Sequence, residues 1–101
     1  MGSDYFKQLT NIKPVEIFPG FTGRFIHTAT LTLVFWDVKA GSSVPEHSHV
    51  NGHMANVLEG SLELTVDGNT SVLVPGVGAL IPSNFKPSGK SITVFSMIDI
   101  F

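Results

Sequence analysis

Three of the four histidines in this chain lie close together, at His47, His49 and His53. On an extended strand, His47 and His49 would leave the same face, because side chains alternate with a period of two. A helix does not explain the cluster, since Pro45 and Gly52 are poor helix residues and positions i, i+2 and i+6 do not converge. A tight turn followed by a return strand would bring His53 toward the other two. Three convergent imidazoles predict a divalent-metal site.

The ion that fits such a site is one divalent transition metal, Fe, Mn, Ni, Cu or Zn, and the sequence leaves the choice open. A histidine-rich surface turn without a ligand is the alternative interpretation. We expect His27 to be packed or hydrogen-bonded rather than a ligand. Asp37 and Asp99 lie within apolar stretches. A buried carboxylate needs partners, so either is expected to be structural or to support an imidazole.

Composition narrows the classes of function. The 101 residues predict one domain, with residues 1–11 as an N-terminal segment whose first three residues resemble a cloning remnant. A charged fraction of 14% and a net charge of -2 argue against a nucleic-acid partner. The absence of cysteine excludes disulfides and thiolate ligands. No apolar run approaches the ~20 residues of a membrane helix and no signal pattern opens the chain, so we expect a cytoplasmic protein.

Short apolar runs separated by turn residues predict an all-β sandwich or barrel. Residues 30–38 are apolar on both faces, which favours a strand covered by the barrel interior and by a second sheet or a partner subunit. Residues 61–66 alternate, and Asp67-Gly68 predicts a two-residue hairpin. Residues 83–90 are expected to form a loop, and residues 92–101 a long closing strand.

The spacing of Gly41, His47, His49, His53 and Gly60 resembles the first motif of the cupin family, in which a glutamate often stands where this chain has His53. The resemblance runs from about residue 15 to residue 101. It implies a double-stranded β-helix (jelly-roll-type) barrel, commonly a homodimer, with a metal held near the mouth of the barrel.

Pro75-Gly76 followed by Ile81-Pro82 is similar to the second cupin motif, which implies one more histidine ligand. This chain has Pro87 there, which carries no ligand atom, and Val77 stands where small cupins usually have aspartate. The resemblance therefore implies a divergent or deliberately altered site. We expect an apolar pocket around the histidines, with four candidate lining residues: Phe35, Met54, Phe85 and Pro87.

The leading hypothesis is a metal-dependent cupin oxidoreductase, with dioxygenase-type chemistry on a small organic molecule. Three imidazoles on a six-coordinate ion leave up to three open positions, as such chemistry requires. Hydrolysis at a zinc-bound water ranks second. The alternatives are a non-catalytic small-molecule-binding cupin, and a cupin barrel whose pocket is altered for a reaction foreign to the family, using a histidine base or a Lewis-acid metal.

Overall fold

The computed structural model describes residues 6–44, 53–82 and 87–101. Within these ranges the chain forms one 3-10 turn, Leu9–Asn11, and ten strands. The strands are β1 Val15–Phe18, β2 Phe21–His27, β3 Thr32–Val38, β4 Ser43–Val44, β5 His53–Glu59, β6 Leu62–Val66, β7 Asn69–Leu73, β8 Gly78–Ile81, β9 Ser88–Ser91 and β10 Phe95–Ile100. None of the helices in the described ranges is long and apolar enough to span a membrane.

The strands form two antiparallel sheets, and the all-β prediction is confirmed. The larger sheet has six strands in the order β1-β2-β3-β10-β5-β8, and the smaller has four in the order β4-β9-β6-β7. The chain therefore crosses between the sheets several times, and β10 pairs with β3 on one side and β5 on the other. Side chains on the facing surfaces of the two sheets enclose the interior.

Strand β3 shows why the interior lies where it does. Val34, Trp36 and Val38 alternate along the strand and are all buried, whereas Leu33 and Phe35 face outward and are partly exposed. Burying an aliphatic or aromatic side chain of this size stabilises a fold by roughly 1.5–3 kcal/mol. The inner face is buried as predicted, whereas the outer face is only partly covered within one chain, and the strand begins at Thr32 rather than at residue 30.

Aromatic rings fill one part of the core. The ring of Phe21 packs edge-on against Trp36 at 6.2 Å and against Phe95 at 6.3 Å, measured between ring centroids. Edge-to-face pairs of this kind add about 0.5–1.5 kcal/mol beyond the area they bury. They join strands β2, β3 and β10 on the inner face of the larger sheet.

The hairpin predicted at Asp67-Gly68 is present between β6 and β7. Both residues have positive φ, 51° and 75°, and Val66 pairs directly with Asn69. This backbone matches the twist of the flanking strands, which fixes the register of the hairpin. Leu62 therefore faces Leu73, and both are buried.

Two sequence predictions are corrected by the strand assignment. Residues 83–90 do not form one continuous loop, because strand β9 begins at Ser88 and pairs with both β4 and β6. Its sequence, Ser-Gly-Lys-Ser, has no apolar strand pattern and forms a strand only through its neighbours. The closing strand begins at Phe95 rather than at residue 92, since residues 92–94 form a bend.

Candidate functional site

A cavity of about 360 Å³ lies between the two sheets. The larger sheet contributes mainly aromatic and aliphatic side chains, among them Phe21, Phe25, Trp36, Ala55, Ile81 and Met97. The smaller sheet contributes Val44, Leu62 and Leu64, together with Ser88 and Gly89 of β9. The volume is near the lower end of the range for small-molecule sites, and the walls formed by the described residues are almost entirely apolar.

One carboxylate interrupts this apolar lining. Asp99 lies on β10 in phase with Phe95 and Met97, so its side chain points inward, where it is 5% exposed. The indole Nε1 of Trp36 donates a hydrogen bond of 2.9 Å to Asp99 Oδ2. The other oxygen, Oδ1, is also buried, and it has no hydrogen-bond partner in the described ranges. Asp99, a residue of the cavity wall, therefore carries a buried acceptor atom with no hydrogen-bond partner in the described part of the chain.

The surroundings of Asp99 change its acidity. Burial in the apolar interior raises the pKa of its carboxyl from 3.8 to about 6, and the hydrogen bond from Trp36 opposes part of that rise. No other titratable side chain of the described residues lines the cavity. Asp99 is thus a carboxyl that can change protonation state near neutral pH inside an apolar site.

Two of the three predicted metal ligands, His47 and His49, lie outside the described residues. His53 begins strand β5, where its backbone pairs with Ile81, a residue of the cavity wall. At the other end of the undescribed segment, β4 ends at Val44, which also lines the cavity. The segment that carries His47 and His49 therefore runs from one residue of the cavity wall, Val44, to a residue that pairs with that wall, His53.

Within the described ranges no three His, Asp or Glu side chains lie close enough together to hold a metal ion. Pro87, which stands where the cupin pattern would place a further histidine, is buried and lines the cavity. Phe85, the other pocket residue expected from that loop, lies outside the described residues.

The prediction that Met54 and Phe35 line the pocket is wrong. Met54 is 56% exposed, and its neighbour Ala55 lines the cavity instead. Phe35 likewise faces outward, and its neighbour Trp36 faces the cavity. Adjacent residues of a strand point to opposite faces, so an error of one position in the phase moves a side chain out of the site.

The remaining polar candidates lie away from the cavity. His27 is exposed, its Nδ1 lies 3.0 Å from the hydroxyl oxygen of Thr32, and its ring stacks on Phe25. The expectation of a hydrogen-bonded histidine is thereby confirmed. Asp37 is on the outer face of β3 and accepts a hydrogen bond of 2.8 Å from Arg24. Of the two aspartates considered from the sequence, only Asp99 is at the cavity.

Sequence reasoning missed the position of Asp99 in the cavity wall. The signal was present in residues 95–100, where Phe95, Met97 and Asp99 share one face of an apolar strand. The identity of its partner was not readable, because Trp36 is 63 positions away in the sequence.

The two-sheet barrel with a cavity between the sheets, and the spacing of the histidines in the sequence, agree with the comparisons with known proteins. The model of the Cupin domain matches residues 34–87. This chain belongs to the cupin family. No match was found among curated proteins.

Several solved structures share the fold. A RmlC-like cupin from Shewanella frigidimarina has a TM-score of 0.89 and 23% identity, with 98% of this chain and 90% of that chain covered. KdgF from Halomonas sp. has a TM-score of 0.82 and 22% identity, covering 88% and 85%. A mutant salicylate 1,2-dioxygenase from Pseudoaminobacter salicylatoxidans has a TM-score of 0.80 and 22% identity, covering 87% of this chain and 28% of that one. At these identities the likeness shows the fold alone.

Proposed function

We propose that this cupin is a metal-dependent enzyme that acts on a small organic molecule held in the barrel cavity, with oxidoreductase chemistry of the dioxygenase type. The observation that carries the proposal is the position of the histidine segment. Val44, the last described residue before it, lines the apolar cavity, and the backbone of His53 at its other end pairs with Ile81 of the cavity wall. A metal bound by this segment would face a bound organic molecule.

The donor set suits such a metal. His47, His49 and His53 would hold it through neutral imidazole nitrogens, which fit Fe, Mn, Ni, Cu and Zn. When bound, the ion would supply open coordination positions for a substrate and a small molecule such as dioxygen. Pro87 lines the cavity and offers no ligand atom, so it would leave a coordination position of such an ion open to the substrate. The apolar walls would exclude water and orient the substrate by its shape.

The likeness to a salicylate 1,2-dioxygenase supports this direction, because a dioxygenase contains the same fold over 28% of its chain. A second candidate is a non-catalytic cupin that binds a small molecule without a metal. Pro87 favours it, since the family's last ligand position is here part of an apolar wall. A pocket altered for a reaction foreign to the family is the third hypothesis.

Metal analysis separates these hypotheses. Protein is produced with each candidate ion, freed of loosely bound metal, and compared with His49→Ala and with the control His27→Ala, which changes an exposed histidine. We expect near one equivalent of one ion in the wild type and in the control, and loss of it in His49→Ala. Less than about a tenth of an equivalent, unchanged by His49→Ala, would contradict a metalloenzyme. Oxygen consumption with small phenols then tests the dioxygenase chemistry.

The homodimer expected from the resemblance also remains a proposal. Met54 and Leu80 are cross-strand neighbours on the outer face of the larger sheet, and they are 56% and 74% exposed. Ile100, in the next strand, adds a further exposed apolar side chain. An apolar sheet face of this kind suits packing against a second copy of the chain. The cytoplasmic location stays a prediction.

A further inference from the structure

We propose that Asp99 is the polar anchor of the cavity, and that the cavity takes a small, mainly apolar molecule carrying one O–H or N–H group that donates a hydrogen bond to Asp99 Oδ1. The inference rests on the part of the proposed function that places a small molecule in the cavity. It does not depend on which metal is bound, or on whether one is bound.

The first observation is an unequal use of the two carboxylate oxygens. Oδ2 accepts from the indole Nε1 of Trp36 at 2.9 Å, which fixes the orientation of the carboxyl group. Oδ1 is buried with no partner in the described ranges. Buried acceptors in folded proteins are nearly always hydrogen-bonded, and an orphaned one calls for a water, an ion or a ligand. A cavity of about 360 Å³ is roomy enough for any of these.

The second observation is that the described part of the cavity wall offers few competing polar groups. The side chains around Asp99 in the wall are apolar, and the Nε1–H of Trp36 is already engaged. Apart from Asp99 and Trp36, Ser88 is the polar side chain of the described cavity wall. A molecule with one donor and an otherwise apolar surface therefore matches the wall better than a sugar or another polyhydroxylated molecule. The volume limits it to about the size of a substituted single ring.

Selectivity for the donor follows from the cost of leaving Oδ1 unpaired. A site built to hydrogen-bond one substrate group discriminates strongly against an analogue that lacks it, because its own buried polar atom then loses its partner. A hydrogen bond to a charged group is also stronger than one between neutral groups. Asp99 is accordingly a residue that determines specificity by touching the bound molecule.

The test compares ligands of nearly equal shape. Binding of p-cresol, 4-methylanisole and toluene is measured by calorimetry and by NMR titration, with the protein as purified and after metal loading. p-Cresol donates a hydrogen bond, 4-methylanisole can only accept one, and toluene does neither. We expect p-cresol to bind at least about tenfold more tightly than either analogue. 4-Methylbenzylamine, compared in the same way, separates amine from hydroxyl donors, and selection of either donor over toluene supports the inference.

Asp99→Asn sharpens the test. The indole N–H of Trp36 would hold the amide oxygen, so the amide NH₂ would replace Oδ1 as a donor. The advantage of p-cresol over 4-methylanisole should then disappear, because both can accept from an NH₂ group. Asp67→Asn, which makes the same change at an exposed hairpin turn, should keep the wild-type selectivity.

Trp36→Phe provides a second test if Asp99→Asn does not fold. It frees Oδ2 but leaves Oδ1 in place, so donor selectivity should persist. Equal binding of all three probes by the wild type, retained selectivity in folded Asp99→Asn, or no binding of any probe would overturn the inference. His49→Ala distinguishes a failure of this inference from a failure of the proposed function. If the variant loses its metal and keeps the probe selectivity of the wild type, ligand selection by Asp99 does not depend on the metal.

Discussion

Trp36 and Asp99 form a buried hydrogen bond across strands β3 and β10, 2.9 Å long and 63 positions apart in the sequence. Asp99 pairs directly with Val34, so Trp36 reaches it from a diagonal position of the ladder. Two opposing effects act on the carboxyl group. Burial raises its pKa to about 6, and the bond from Trp36 limits that rise. Fold stability and the proposed ligand recognition therefore depend on the same side chain.

Asp99→Asn is expected to change how stability depends on pH. The folded state holds the Asp99 proton up to about pH 6, whereas the unfolded chain releases it near 3.8. Because the folded state binds more protons between these values, the contribution of Asp99 to stability falls as pH rises through this window and is constant above it. The difference between the two pKa values corresponds to roughly 3 kcal/mol.

The asparagine variant carries no charge, so its unfolding free energy relative to wild type should increase by up to ~3 kcal/mol from pH 4 to pH 6.5. Denaturant titrations at several pH values measure this difference. Near-ultraviolet spectra at both ends of the range check that two folded proteins are being compared. A difference that does not vary with pH would contradict the raised pKa of Asp99.

Gly60→Ala should destabilise the fold much more than Gly41→Ala, although the two glycines stand at the two ends of the same motif. Both have positive φ, 78° and 79°. A Cβ at Gly60 would overlap the carbonyl oxygen of Val94, while one at Gly41 meets open space. We expect about 1 kcal/mol of destabilisation for Gly41→Ala and at least about 3 kcal/mol for Gly60→Ala, measured by denaturant unfolding. Equal losses would show that φ alone matters at both sites.

Pro87→His tests the position where the family pattern places a further ligand. Pro87 is buried in the cavity wall, so an imidazole there would be available to a metal held by the histidine segment. We expect metal affinity to rise at least about tenfold, measured by competition with a chelator. Pro82→His, at an exposed proline, is the matched control and should not change it. Unchanged affinity in Pro87→His would place the metal, if one binds, away from this wall.

Leu80→Lys is expected to weaken a homodimer formed through the larger sheet. Leu80 is 74% exposed on the edge strand β8, and burying a lysine in an apolar interface is unfavourable. The dimer dissociation constant should rise at least about tenfold, measured by analytical ultracentrifugation. Val94→Lys, at an equally exposed residue in a bend, serves as the control. A monomeric wild type would contradict the proposed dimer.

Much of the fold was predictable because local patterns and tertiary packing agree. The alternation in β3 and the turn at Asp67-Gly68 are each determined by a few adjacent residues. Strand β9 was not predictable, because Ser88–Ser91 becomes a strand only by pairing between β4 and β6. That information lies in distant segments of the chain.

The candidate metal ligands could be predicted from the sequence, but the residues that line the cavity could not. Spacing brought His47, His49 and His53 together as candidate ligands, and the place of Pro87 followed from the second motif. The phase of a doubly apolar strand is ambiguous, since both faces look buried, and Phe35 was therefore preferred to Trp36. Asp99 needed both its phase and its distant partner before its position in the cavity could be recognised.

The placement of β10 between β3 and β5 also bears on folding kinetics. Both strands beside it are made earlier in synthesis, and neither has its central partner until β10 has been made. The larger sheet therefore depends on contacts of long sequence separation, which slow folding because the entropy of closing the loop is lost before the pairing is gained. Until that moment β3 and β5 each have an unpaired edge, the kind of edge that recruits strands from other chains.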